Sequence, residues 1–383
     1  MSWEQRTVEQ QREEFVLSAR NCLNFSRLCR EYGISRKTGY KWLERANNGE
    51  TLDNHSRKPK QSPQRTPIEI EHKVLAVRNA HPAWGANKIR HILLKNKSEK
   101  ERLPCVRTIT NILHRYGLIT PEESAKRQAF QRFERAECNE LWQTDFKGEF
   151  KTQDGKYCYP LDIIDDCSRF CICVQARDNT VQMVIPVFQA AFLEYGLPDA
   201  ILSDNGGQFA GFKGGFTQFK KWLMNWDILP IHGKVHHPQT QGKIERLHGT
   251  MNRELFKYQR FSNARAANIA LQKWRHIYNN ERPHEALNMR TPAEVYTPSK
   301  RRMPSKIEPF EYSGLFCIKK VSGQGYVRFG SKPIYLSETM AGEYLEFRPN
   351  RNDTALYACY RNFKIAKFST ENWELINRKI RRL

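Results

Sequence analysis

No apolar run in this chain is long enough to cross a bilayer, which takes about 20 residues as a helix, so no membrane partner is expected. The opening stretch MSWEQRTVEQ lacks the apolar core of a signal peptide. None of the ten cysteines forms a CxxC pair, which leaves a zinc ribbon or a thioredoxin-type motif without support. Cys171 and Cys173 alternate within a strand-like run and read as small core residues. His232, His236 and His237 cluster, but no cysteines stand at finger spacing beside them, so a loop role is preferred to a metal site. Together these absences imply a thiol-containing protein of the cytoplasm. Acid is in short supply too: 41 Asp and Glu face 63 Lys and Arg among 383 residues, a formal charge of +22. The surplus is spread along the chain, as in RKPK (57–60) and RKIRRL (378–383). A folded chain this basic, with interleaved aromatics, is expected to meet a polyanion. A basic surface kept only for solubility is the blander reading.

The N-terminal third reads as helical. In NFSRLCREYGISRKTGYKWLERA (24–46), Phe25, Leu28, Cys29 and Tyr32 recur at helical spacing. Gly33 stops that helix, Ile34 plugs the turn, and Ser35 caps a second helix carrying Arg36, Lys37, Thr38 and Lys41. A short helix, a glycine turn and a capped basic helix make the layout of a helix-turn-helix, whose second helix enters the major groove of double-stranded DNA. Gly39 inside that helix costs about 1 kcal/mol against Ala. The rival reading is a plain helical hairpin with a solvated basic face. A polar, proline-rich linker over 51–66 offers Arg57, Lys58 and Lys60 to phosphates. Three further helices over 67–120 suggest a second helix-turn-helix, winged-helix-like, with Arg107 and Thr108 opening its third helix. A basic connector follows at 121–138.

From about residue 141 strands take over. LWQTDFKGEF, YCYPLDIIDDCSRF and CICVQARDN form three strand-like runs joined by turn residues, an antiparallel meander. A helix over 180–198, a short strand ending at Asp204, a helix over 215–227, another strand and two helices complete an α/β layer with a mixed sheet. After residue 298 short alternating runs broken by Gly, Asn and Asp predict a small all-β domain, barrel or sandwich, with a basic tail.

Three carboxylates in this α/β segment stand where an isolated charge needs a reason. Asp145 lies mid-strand in WQTDF, Asp204 ends the strand of LSDNGGQF, and Glu245 opens the helix in TQGKIERLHGTMNREL. A strand carrying Asp204 beside the one carrying Asp145 would bring the two together. Clustered carboxylates repel each other and raise each other's pKa, and a divalent cation with hard oxygen ligands relieves that conflict. Two ions about 3.5–4 Å apart can activate an attacking oxygen and stabilise a leaving one. The glycines at 206 and 207 would leave room for a phosphate. The blander reading of DNGG is an ordinary strand-ending turn.

NELWQTDFKGEF, IIDDCSRF, LSDNGGQF, HHPQTQGKIERLHGTMNREL and YNNERPHEAL, in this order, resemble the integrase core of DDE transposases, which share the ribonuclease-H-like fold with retroviral integrases. YGISRKTGYKW and HPAWGANKIRHIL resemble the bacterial insertion-sequence branch, most closely insertion-sequence family 481. The resemblance covers roughly residues 20–300 and implies a core over 139–297. It implies that Asp145, Asp204 and Glu245 are catalytic and bind two Mg²⁺ or Mn²⁺ ions per site. The activity implied is hydrolysis at the ends of a mobile element, then attack of the freed 3′-hydroxyl on target DNA. Lys243 and His248, beside Glu245, are expected at DNA phosphates, and a homo-oligomer, at least a dimer, is expected on DNA. A bacterial protein associated with the nucleoid when bound to DNA follows from the same resemblance.

One departure stands out. Asp204 and Glu245 are 41 positions apart, more than is usual in the family, and the glycine-rich AGFKGGF (210–216) accommodates the excess as a loop. Glu254 is the rival acid should the register differ. Asp165 and Asp166 are expected to shape the strand turn, with Arg169 as ion partner, and alternatively to assist metal binding. Arg282, Pro283 and His284 are expected to set a helix-ending turn. Two other functions stay open: a catalytically retired transposase acting as a sequence-specific regulator, and a nuclease for RNA–DNA hybrids.

Overall fold

A computed structural model describes residues 7–54, 65–96, 102–119, 135–177, 181–204, 206–210, 215–232, 242–329 and 332–383. Arg57, Lys58, Lys60, His236 and His237 lie outside the described residues. The chain forms two compact units, Met1–Arg65 and Thr66–Leu383.

In the first unit, α1 (Val8–Arg20) starts with a capping box between Thr7 and Gln10. Asn24 caps α2 (Phe25–Glu31), and Ser35 caps α3 (Arg36–Asn47) by accepting from the Thr38 amide. Gly33 makes the turn between them at φ +64°, where a side chain would be strained. Phe15, Val16, Leu28, Cys29, Trp42 and Leu52 form the core, and Ile34 packs against it. Gly39 has a packing reason that its helix cost concealed. A Cβ there would stand 2.8 Å from Cys29 Sγ and 2.9 Å from Cζ of both Phe15 and Phe25. Gly39→Ala therefore overpacks three side chains at once, which costs about 1–3 kcal/mol against a helix gain of about 1 kcal/mol. We expect net destabilisation, read as faster amide hydrogen exchange through α1–α3. Unchanged exchange would contradict this packing.

The second unit opens with α4 (Ile68–Ala80), α5 (Ala86–Lys95) and α6 (Val106–Arg115) around Val74, Trp84, Ile89, Leu93, Ile109, Ile112 and Leu113. Among the described residues no strand flanks α6 to form a wing.

The α/β layer follows as β1 (Trp142–Phe146), β2 (Phe150–Lys151), β3 (Tyr157–Asp165), β4 (Cys171–Arg177), α7 (Val181–Tyr195), β5 (Ala200–Ser203), the short α8 (Gly207–Ala210), α9 (Gln218–Asn225) and β6 (Leu229–His232). Then come α10 (Gly242–Met251), a π-helical turn over Asn252–Phe256 and α11 (Ala264–Asn280). β3 pairs antiparallel with β1, β2 and β4, while β1–β5 and β5–β6 are parallel, so the sheet is mixed as expected. Alternation along the strands sends Trp142, Leu161, Ile163 and Ile172 toward Phe188, Phe192, Phe219 and Leu223 of α7 and α9. The opposite face receives Ile244, Leu247, Leu271, Trp274 and Tyr278 of α10 and α11, with Ile164, Cys171 and Val174 beneath them.

The C-terminal strands are β7 (Cys317–Lys320), β8 (Tyr326–Phe329), β9 (Lys332–Tyr335), β10 (Tyr344–Pro349), β11 (Ala355–Tyr360), β12 (Phe363–Ser369), β13 (Leu375–Asn377) and β14 (Arg381–Arg382). They form an antiparallel sheet ordered β13-β12-β11-β10-β7, with β14 on β12 and β8–β9 as a separate hairpin. The basic tail is partly folded: β14 pairs with β12, and Arg382 donates to Asp227 at 2.7 Å across the junction with the α/β layer. Phe216 and Met224 of that layer sit in the same apolar cluster as Leu336, Met340 and Phe363. No helix among the described residues is long and apolar enough to cross a membrane.

Candidate active site

The site lies on the sheet face covered by α10. Thr144 of β1 pairs with Ser203 of β5, so the next residues, Asp145 and Asp204, leave neighbouring parallel strands side by side. Burial comes first in raising the Asp145 carboxyl to about 6; the Asp204 charge adds to it and His248 opposes it. Asp204 is raised too, chiefly by burial. Asp204 Oδ1 is buried and has no hydrogen-bond partner among the described residues. Such a pair costs free energy as two bare anions and fits a divalent cation.

Glu245 is not gathered with them. It lies exposed in the first turn of α10. Among the described residues no three His, Cys, Asp or Glu side chains come together to hold a metal. Glu245 shares its side of the helix with His248, three positions on, and that side borders the site. His248 Nε2 stands 2.9 Å from Asp162 Oδ2, near enough for an ion pair but without hydrogen-bond geometry. Asp162 is fully buried on β3, directly opposite Asp145. Sequence reasoning missed it. Its position in the middle of an apolar run, LDIID, was the available signal.

Two residues expected at DNA phosphates find acidic partners within the chain. Lys243 turns inward to an ion pair with Asp166, and His248 turns inward to Asp162. Both side chains are mostly buried, because α10 lies flat on a sheet face that carries acids. The rival acid Glu254 accepts from Arg282 Nε at 2.8 Å and Trp274 Nε1 at 3.3 Å, mostly buried, as a structural strut. Asp165 holds the strand turn by accepting from the Asn139 and Ser168 amides. Arg169 reaches the Asp166 backbone carbonyl. His284 packs in the core as expected of a helix-ending turn, its pKa lowered to about 3 mainly by burial. His232 ends β6 with Nδ1 3.1 Å from Ser203 Oγ, and burial holds its pKa near 4, so it is neutral at pH 7.

The expected base-reading residues take two forms. Arg36, Lys37 and Lys41 are exposed on α3, and Arg107 is exposed on α6. Thr38 and Thr108 are half-buried and serve the helix starts, bonded to Ser35 and Cys105.

Two family models described as Integrase core domain match residues 135–238 and 227–292. The chain carries an integrase core. A third model, Homeodomain-like domain, matches residues 38–113, from α3 through most of α6. The chain is 28% identical over 139 residues to the uncharacterized protein K02A2.6 of Caenorhabditis elegans, which is 36% of this chain and 10% of that protein. It is 23% identical over 157 residues to the uncharacterized 31.7 kDa protein of insertion element IS407 from Burkholderia multivorans, 41% of this chain and 54% of that one. The chain thus spans about half the length of these curated relatives, or less. The solved HTLV-2 integrase catalytic core in complex with magnesium superposes with a TM-score of 0.32 at 21% identity, over 42% of this chain and 97% of that one.

Proposed function

We propose that this chain is a DNA transposase that binds the terminal inverted repeats of a mobile element and joins them to target DNA. The observation that carries the reading is the Asp145–Asp204 pair at the ends of two parallel strands of an integrase core, with one buried carboxylate oxygen unpartnered among the described residues. The match to a protein of an insertion element supports it. Asp145, Asp204 and Glu245 would hold Mg²⁺ or Mn²⁺, two ions per site. Bound there, the metal supplies the positive charge that a phosphodiester displacement needs at its attacking and leaving oxygens. Asp145 and Asp204 themselves fix two anionic ligands on rigid strands, so little reorganisation is left for the reaction. Among the described residues nothing lies within 4 Å of a Cβ placed at Gly207, which leaves room there for a backbone phosphate. Exposed Arg36, Lys37 and Lys41 would read one DNA segment through the major groove, and Arg107 a second. Cutting and joining two ends together calls for at least a dimer on DNA.

The test is direct. Inverted repeats in the DNA flanking the coding sequence supply the substrate, and the full chain with Mg²⁺ or Mn²⁺ is expected to nick those ends and join them to a target duplex. Joining without metal, or none with either metal, would refute the reading. The exposure of Glu245 favours a second reading, a retired transposase acting as a sequence-specific regulator. Specific binding to the repeats without joining at any metal concentration would establish it.

A further inference from the structure

A closed ring of polar contacts joins the strand of Asp145 to the helical turn of Glu245. Asp166 Oδ1 accepts from Gln143 Nε2 at 2.7 Å. Gln143 lies two residues before Asp145, on the same face of β1. Its Oε1 accepts from the Ile244 amide at 3.3 Å. That amide is among the first-turn N–H groups that α10 cannot satisfy itself. Lys243, next along the same turn, closes the ring with its ion pair to Asp166 Oδ2, which also accepts from the Arg135 amide at 2.8 Å. The ring is built inside the protein: the side chains of Asp166 and Lys243 are 5% and 12% exposed, and Gln143 is 2% exposed.

We infer that Asp166, with Gln143 and Lys243, is a positioning residue that holds the first turn of α10, which carries Glu245, against β1 and so governs how tightly the acids take up a divalent ion. The inference rests on the proposed function for the identity of the acids, but not for its readout. Lys243 and Ile244 are the two residues before Glu245, so slack in this ring passes straight into the Glu245 backbone. A surface role would leave the same residues solvated. A fold-stabilising role would show in melting alone. Partners that orient metal ligands change metal affinity or activity by about 10–100-fold when lost.

The experiment uses the full chain and Mn²⁺ as probe, with bound and free ion separated by electron paramagnetic resonance. Asp166→Asn keeps the shape and the acceptor for Gln143 but removes the charge that holds Lys243. Lys243→Met removes the other half and leaves every predicted metal ligand in place. Both variants are expected to bind Mn²⁺ about tenfold or more weakly than the parent. In strand transfer, both should need correspondingly more Mn²⁺ for half-maximal rate, with KM for DNA within about twofold of the parent, the residual scatter of an unchanged contact. Mn²⁺ binding equal to the parent in a folded Lys243→Met chain would overturn the inference, whatever happens to activity. A parent that binds Mn²⁺ but never joins DNA would sink the transposase reading and leave this one standing. Should Asp166→Asn fail to fold, Lys243→Met and Gln143→Ala carry the same comparison.

Discussion

Asp145→Asn is expected to abolish strand transfer and, at the same time, to raise the melting temperature of the protein at neutral pH. The two effects have one cause. Burial and the neighbouring Asp204 charge lift the Asp145 carboxyl from 3.8 to about 6. Between those values the folded chain holds more protons than the unfolded one, so this group's contribution to stability falls as pH rises through the window. Above about pH 6 both states are ionised and the full penalty is felt. Two pKa units correspond to roughly 3 kcal/mol, an upper bound on what Asn recovers at pH 7. The gain should shrink as pH falls below about 6 and nearly vanish at about pH 4. Losing a ligand to the catalytic charge removes several kcal/mol of transition-state stabilisation, roughly a thousandfold or more in rate. DNA binding, carried by other residues, should change little. Calorimetric melting across pH 4–8, beside a strand-transfer assay, checks both halves. An Asn variant that joins DNA normally, or that melts lower at pH 7 than the parent, would contradict the site.

Binding of Mg²⁺ to the parent would relieve the same repulsion, so the variant should also lose any melting shift on metal addition. On this reading stability and function meet in one pair of side chains: the strain between Asp145 and Asp204 is what a bound metal would remove.

Much of this arrangement was legible in the chain's residues. The meander of β1, β3 and β4 showed in period-two alternation and turn residues. Asp145 and Asp204 stood out because carboxylates in apolar strand runs are costly unless used or paired. In the structure Ile244, Leu247 and Met251, at helical spacing, pack on the sheet, although helical spacing alone could only have placed them on one face of α10. It could not tell what the sheet offers at each point. Lys243 and His248 therefore read as cations aimed at DNA, whereas β3 and its turn present Asp162 and Asp166 to them. Partners this far apart in sequence are fixed by strand register, which a local pattern does not carry. The same limit hid Gly39. Its helix cost is local, while the three side chains that exclude a Cβ come from α1 and α2. Arg382 read only as part of a basic tail because nothing nearby in sequence announces Asp227.

Arg282→Met is expected to destabilise the unit Thr66–Leu383 by about 3 kcal/mol or more, since removing one partner strands a buried charge. Glu254 and Arg282 are 10% and 12% exposed in their side chains, and the Trp274 indole supplies only one neutral donor to what remains. The double variant Glu254→Gln with Arg282→Met should recover most of the loss, because an uncharged pair needs no counterion. Denaturant unfolding of the four chains gives the coupling directly. The same set separates the two candidate acids. Glu254 bridges the π-helical turn to the end of α11, so Glu254→Gln should lower stability yet leave strand transfer within about tenfold of the parent below its melting range, a factor that corresponds to 1.4 kcal/mol in the barrier. Glu245→Gln, exposed and with no such strut to lose, should do the reverse, keeping stability and losing chemistry. Were Glu254→Gln the inactive and stable one, the third acid would be Glu254, and α10 would have to turn by about half a revolution at 100° per residue to deliver it. Ile244, Leu247 and Met251 would then face water, which the apolar packing of that face opposes.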